Sequence, residues 1–277
     1  MQGWRQFLDL LFPRSCLLCR RLVIQEASAS LCSRCQEQLE PIHGGCKRCG
    51  APLRQDGVCA FCKDQRWEFG RAWSYTVYDS VAAKAVRLMK EAHCESLTQS
   101  IGDLLAEWLK ADDTFNPTVY DAVVPIPQHW FRRLAQRYNQ ASTLGYRLAK
   151  ATGLPQSETL LRRGRWTQKQ GMKTISERRE NLVGAFEVPK AETVRYRSFL
   201  LIDDVMTSGA TLQEAARVLR RAGARQVDAV VFARGINASK APARIQSGVQ
   251  AVVPLTFGQN TQESPRRNNE ALRRKIH

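Results

Sequence analysis

The chain has 277 residues, enough for one substantial core and a smaller module. Its apolar fraction of 43% excludes global disorder, and no stretch approaches the length of a membrane span. Lys+Arg outnumber Asp+Glu by 42 to 26, a formal charge of +16, so the surface attracts polyanions such as nucleic acid or phosphorylated metabolites. A solvated basic face that only aids solubility is the alternative. The opening "MQGWRQFLDLLFPRSC" lacks a signal-peptide pattern, and a cytoplasmic location is expected.

Residues 1–66 form a cysteine-rich module. Eight of the nine cysteines make four CxxC pairs: Cys16/Cys19, Cys32/Cys35, Cys46/Cys49 and Cys59/Cys62. A CxxC hairpin converges two sulfurs on one tetrahedral metal, and two hairpins complete a four-cysteine site, so two structural Zn²⁺ ions are expected. Sequential pairing closes the shorter loops and is preferred; cross-braced pairing is the alternative. A disulfide framework would need an oxidising compartment, and thioredoxin-like redox motifs would need a different context. Bound as thiolate clusters, two zinc ions would lower the charge to about +12. Cys94 stands alone, and a half-buried thiol is expected.

The composition changes at "WEFGRAWSYTVY", which predicts a first strand, and residues 67–236 read as the main domain. "DSVAAKAVRLMKEAH" and "LTQSIGDLLAEWLKA" carry apolar residues at helical spacing. "YDAVVPIP" is a buried strand ending at prolines, and the basic "HWFRRLAQRYNQ" leads into a helix, "ASTLGYRLAKATG", ended by Gly153 and Pro155. "LLRRGRWTQKQGMKTISERRENL" is polar and cationic, and reads as an exposed loop. "GAFEV" and "SFLLIDDV" are strands, "TLQEAARVLRRAG" is a helix closed by Gly223, and "RQVDAVVFARG" is a further strand. Strands alternating with helices predict an α/β fold with a mostly parallel sheet covered on both faces. From residue 237 to 277 the polar, basic tail is expected to be largely disordered.

"LLIDDVMTSGATL" marks a site at the carboxyl end of a parallel strand, where open α/β sheets bind ligands. Leu200–Ile202 supply the strand, and Thr207, Ser208, Gly209, Ala210 and Thr211 the turn into a helix. Backbone N–H groups, the helix dipole and three hydroxyls suit a phosphate. Asp203 and Asp204 accept hydrogen bonds from vicinal sugar hydroxyls. Adjacent strand residues face opposite ways, so both reach one ligand only where the strand is ending. A phosphorylated ribose fits this pair of features; a capped helix start with arginine-paired aspartates is the plain alternative. No G-x-x-x-x-G-K-[ST] supports a P-loop.

This stretch resembles the phosphoribosyl pyrophosphate (PRPP) motif of type I phosphoribosyltransferases. With "VPIPQHWFRR", "RYNQAS", "TQKQGMKTISERRENLVGAF" and the CxxC pairs, the chain resembles the ComF/GntX family, in which cysteine-rich ribbons precede a phosphoribosyltransferase domain. The resemblance implies a type I phosphoribosyltransferase-like sheet flanked by helices, behind a small N-terminal zinc-ribbon module. It implies PRPP binding with Mg²⁺, with Asp203 and Asp204 anchoring the sugar and stabilising a ribosyl cation. It makes Arg132 and Arg133 pyrophosphate contacts, where a solvated helix start is the alternative; His129 in the same segment decides nothing by itself. Gln170, Arg178, Arg179 and Asn181 fall on the family's mobile segment, either a lid or a solvated charge run. Lys90 lies where the family tends to place lysine, as a phosphate or DNA contact or as a snorkelling surface residue. Arg137 replaces a glycine that many members carry before the aromatic-Asn-Gln element.

For function, the resemblance implies a part in natural transformation, with single-stranded DNA and the competence DNA-import machinery as partners. Two classes stay open: a phosphoribosyltransferase of unknown acceptor, and a non-catalytic PRPP-sensing or nucleic-acid-binding protein that docks through its ribbons. The sequence carries no signal for oligomeric state.

Overall fold

The structure is a computed structural model, described over residues 15–23, 30–62, 65–128, 138–164 and 182–236. His129, Arg132, Arg133, Arg137, Gln170, Arg178, Arg179, Asn181 and the tail from 237 lie outside the described residues.

The elements run α1 (Ser33–Gln38), β1 (Ala72–Val77), α2 (Ser80–Leu88), α3 (Glu95–Lys110), β2 (Ala122–Pro125), α4 (Gln140–Thr152), β3 (Arg162–Arg163), β4 (Phe186–Glu187), β5 (Ser198–Met206), α5 (Ala210–Arg221) and β6 (Gln226–Arg234). The main sheet has the order β1-β6-β5-β2 and is parallel throughout. Its strands are near-continuous apolar runs because both faces are covered. Leu200, Ile202, Val230 and Phe232 pack with Leu97, Ile101 and Leu105 of α3 and Leu144 and Leu148 of α4. Phe199, Leu201 and Val231 pack instead with Leu212, Ala215 and Leu219 of α5. The alternation of β5 residues between the two sets is the period of two that places helices on both sides.

Local chemistry sets the helix ends. Asp79 caps α2 by accepting the Ala82 N–H at 2.8 Å. Asn139 accepts the Ala141 N–H ahead of α4, and Gly153 closes that helix at φ 74°. α5 stops at Arg221, followed by Gly223 at φ 96°.

The cysteine-rich module is knitted onto the β1 edge. Pro41 bridges Thr76, and the Ile42 N–H donates to the Tyr75 carbonyl at 2.6 Å. A strand edge that would otherwise offer unpaired backbone groups is thereby covered. Cys16, Cys32 and Cys35 pack into the core on the α3–α4 side, whereas Cys46, Cys49 and Cys62 pack into the core on the α5 side.

Two readings change. Arg162 and Arg163, expected in an exposed loop, pair antiparallel with Phe186 and Glu187. Arg163 stacks its guanidinium 5.5 Å from the Phe186 ring centre, an apolar gain that a charge count does not reveal. Cys94, expected half-buried, is fully enclosed in the core. No helix among the described residues is long and apolar enough to cross a membrane.

Candidate phosphate and sugar site beside two cysteine clusters

β2 and β5 stay in register only to Pro125↔Ile202, after which the Ile126 N–H takes the Ile202 carbonyl at 2.9 Å. β5 itself continues to Met206, paired on its other side with β6. The strand therefore runs past the acidic pair, further than Leu200–Ile202, while on its β2 side no described strand pairs with it from Asp203 onward. That one-sided ending puts the acidic pair at the carboxyl edge, where open α/β sheets bind ligands.

Asp203 and Asp204 are both partly buried there. The Asp204 N–H donates to Asp203 Oδ1 at 2.9 Å. Burial and the neighbouring Asp204 carboxylate push the Asp203 carboxyl well above the usual carboxylate range. Lys90, just beyond α2, places its Nζ 3.4 Å from Asp204 Oδ2, so it belongs to the acidic site and not to a remote surface.

The turn follows directly. Thr207, Ser208 and Thr211 keep partial exposure, while Gly209 and Ala210 are buried beneath them. Ser208 Oγ faces the Ala210 N–H at 3.4 Å, and the next N–H groups of the first α5 turn have no intrahelical carbonyl to meet. Gly209 adopts φ 74°. A Cβ there would lie 2.7 Å from the Trp67 ring and 2.8 Å from Met206 Cε, so the turn needs glycine for both its dihedral and its neighbours.

Arg234 was read only as the end of a strand, yet it organises the floor of the site. It is 4% exposed. Its Nε donates to the Cys49 carbonyl at 3.1 Å, and its Nη1 to the carbonyls of Met206, Thr207 and Gly235 at 2.8, 2.5 and 2.5 Å. One guanidinium thus joins a cysteine hairpin to the turn. The available signal was a cation closing the apolar run "VVFAR", which has to find acceptors when buried. Trp67, beside Gly209, had no comparable signal.

The cysteines gather sequentially. Sγ atoms of Cys16, Cys19, Cys32 and Cys35 lie within 4.8 Å of one another, as do those of Cys46, Cys49, Cys59 and Cys62. Neighbouring sulfurs are 3.6–3.7 Å apart, far beyond a disulfide bond. A tetrahedral ion with Zn–S of about 2.3 Å spaces its sulfurs by about 3.8 Å, so the donor set and its dimensions fit zinc. Each cluster already favours a thiolate. The Cys49 thiol and the backbone N–H groups of Arg48 and Cys49 bring Cys46 down to about 4, against burial. Burial opposes the same effect at Cys16, but backbone donation from Cys32, Cys19 and Leu18 prevails and lowers it to about 7.

Thus Asp203, Asp204 and Thr207–Thr211 come together with Lys90, and all eight paired cysteines form two clusters.

A double zinc ribbon domain model matches residues 7–63, and a phosphoribosyl transferase domain model matches residues 140–264. Competence protein F of Haemophilus influenzae is 27% identical over 226 residues, covering 80% of this chain and 98% of that protein. DNA utilization protein YhgH of Escherichia coli O157:H7 is 27% identical over 223 residues, covering 79% and 96%. Competence protein ComFC of Bacillus subtilis strain 168 is 28% identical over 231 residues, covering 75% and 89%. The chain therefore joins a double zinc ribbon to a phosphoribosyltransferase domain, and the proteins named Competence protein F, ComFC and YhgH are its homologues.

Proposed function

We propose that this protein binds PRPP with Mg²⁺ at the carboxyl edge of β5 and serves the handling of single-stranded DNA. The observation that carries the reading is the continuity of the partly buried acidic pair, Asp203 and Asp204, with the glycine turn into α5. Asp203 and Asp204 accept the ribose hydroxyls, and the N–H groups and hydroxyls of Thr207–Thr211 take the 5-phosphate. Arg132 and Arg133 contact pyrophosphate, and the segment with Gln170, Arg178, Arg179 and Asn181 closes over the ligand; these roles rest on the family resemblance.

The chemistry supplied with bound Mg²⁺ is charge neutralisation of the pyrophosphate. In the transferase form of the reading, a nitrogen lone pair forms the bond to C1 and pyrophosphate leaves with the C1–O electron pair. The nitrogen then gives up its proton to solvent. Asp203 and Asp204 stabilise the ribosyl cation that develops as the C1–O bond breaks ahead of full C1–N bond formation.

The names of the relatives bring DNA utilisation and competence into the reading. The charge of +16 supports a polyanion partner, and the ribbons supply a docking module. We assign residues 1–66 to that module, 67–236 to the PRPP domain and 237–277 to a basic tail, in a cytoplasmic protein.

Calorimetry with Mg·PRPP tests the site. The native protein is expected to bind, and Asp203→Asn/Asp204→Asn to lose at least about tenfold in affinity; equal heats would remove the sugar assignment. Pyrophosphate release across a panel of nitrogen bases then separates transferase from sensor. Oligonucleotide affinity should fall steeply with added salt.

A further inference from the structure

At the amino ends of β5 and β6, opposite the edge that carries the acidic pair, two loops run side by side. The Tyr196 N–H donates to the Gly223 carbonyl at 2.9 Å, and the Arg225 N–H to the Arg197 carbonyl at 2.8 Å. Gly223, at φ 96°, permits the approach: a Cβ there would lie 3.0 Å from Arg195 Cγ. Residues 195–197 and the 220–225 segment therefore present one face.

Arg195, Tyr196 and Arg197 are all exposed, between Val194 and Ser198, which are fully buried. Tyr196 is 83% exposed and sits at φ 63°. A bulky side chain is uncommon in the left-handed region, where glycine turns the chain at no steric cost. The turn does not need a ring, and the ring is not packed into the core. A backbone outlier of this kind points to a use outside the fold.

The charge around that ring is mostly of one sign. Arg220, Arg221 and Arg225 are exposed beside Arg195 and Arg197. Arg220 and Arg221 have a local reason, the negative end of α5, and Arg220 Nη1 donates to the Ala224 and Arg225 carbonyls. Arg195, Arg197 and Arg225 have no helix end to serve. Arg225 is steered by Nε donating to Ser198 Oγ at 3.1 Å, and none of these three forms an ion pair among the described residues. Two carboxylates border the face: Glu192 on the turn before Val194, and Asp121, which accepts the Ser198 N–H at 2.8 Å. The arginines outnumber them, and a basic face kept only for solubility would not hold a tyrosine out at positive φ.

We infer that this face binds single-stranded DNA, with arginine forks on the phosphates and the Tyr196 ring stacked on a base. The ring selects the single strand, because duplex bases already stack on one another and offer no free face. The inference rests on the DNA part of the reading above and gives it a place. Along β5, Asp203 lies about 17 Å from Ser198, so DNA on this face leaves the acidic site open.

The test is fluorescence anisotropy of a labelled oligothymidine of about 12 nucleotides on the full, zinc-loaded chain. Tyr196→Gly accepts the left-handed dihedral freely, so it should unfold at about the same urea concentration as the native protein yet bind about tenfold more weakly. Tyr196→Phe keeps the stacking face and should stay within about twofold of native affinity. Arg195→Gln/Arg197→Gln should weaken binding and reduce the slope of log K against log salt by about 1.4. Asp203→Asn/Asp204→Asn should bind the oligonucleotide as the native chain does. A native chain that binds no oligonucleotide would sink the DNA reading itself, and this face with it. Binding that ignores both Tyr196→Gly and the arginine pair would sink this placement alone, as would a duplex bound as tightly as the single strand.

Discussion

Arg234 donates from Nε to the carbonyl oxygen of Cys49 at 3.1 Å, across 185 residues of chain. The same guanidinium holds the carbonyls of Met206 and Thr207, so the second cysteine cluster and the 207–211 turn share one buried cation. Removing it leaves several carbonyls unmet in a dry site. Arg234→Met is expected to cost about 2–4 kcal/mol in urea unfolding and to weaken phosphate-ligand affinity. Arg234→Lys, with fewer and less directional donors, should recover part of the stability and less of the affinity.

Gly209 and Trp67 make a separable pair. Gly209→Ala introduces a methyl at positive φ and against the Trp67 ring, with an expected cost of about 2 kcal/mol or more. Trp67→Ala relieves the second contribution and leaves the first. A double-mutant cycle by chemical unfolding should therefore show Gly209→Ala costing less in the Trp67→Ala background.

Asp203 fixes the sign of a pH dependence. Its folded pKa lies above the ordinary carboxylate value, so between the two values the folded state holds more protons than the unfolded state. Its contribution to stability is present below about pH 4 and is lost as pH rises through the folded value. Asp203→Asn mimics the protonated form. Its denaturation midpoint should exceed that of the native protein at neutral pH, and the gap should shrink as pH approaches about 4.

The two clusters should behave differently although their ligands are alike. Elemental analysis is expected to give about two zinc ions per chain. Cys19→Ser and Cys59→Ser should each retain about one, while Cys94→Ser, whose thiol belongs to neither four-cysteine cluster, should retain both. Only Cys59→Ser disturbs the hairpin that anchors Arg234, so it should weaken phosphate-ligand binding where Cys19→Ser does not. Calorimetry on the two variants distinguishes them.

What the sequence made legible was local. β5 and β6 announce themselves because burial on both faces demands uninterrupted apolar runs, and Gly153 and Gly223 mark helix ends by their dihedrals. CxxC spacing encodes a metal hairpin within one short turn of chain. The acidic pair and turn are contiguous, so their pattern survives without a fold. Contacts made over long separations left no such trace. Lys90 reaches Asp204 only because α2 ends beside β5, and Pro41 and Ile42 pair with β1 only after the module has docked. Arg234 and Trp67 act through the backbone of the turn, where the side-chain pattern is silent about its neighbours.

The most direct test of the central claim is a crystal structure of the protein soaked with Mg·PRPP. The 5-phosphate is predicted to sit in the N–H groups of the 207–211 turn, with the ribose hydroxyls within about 3 Å of Asp203 and Asp204. An ordered ligand bound elsewhere, or a turn left empty at saturating PRPP, would contradict the account.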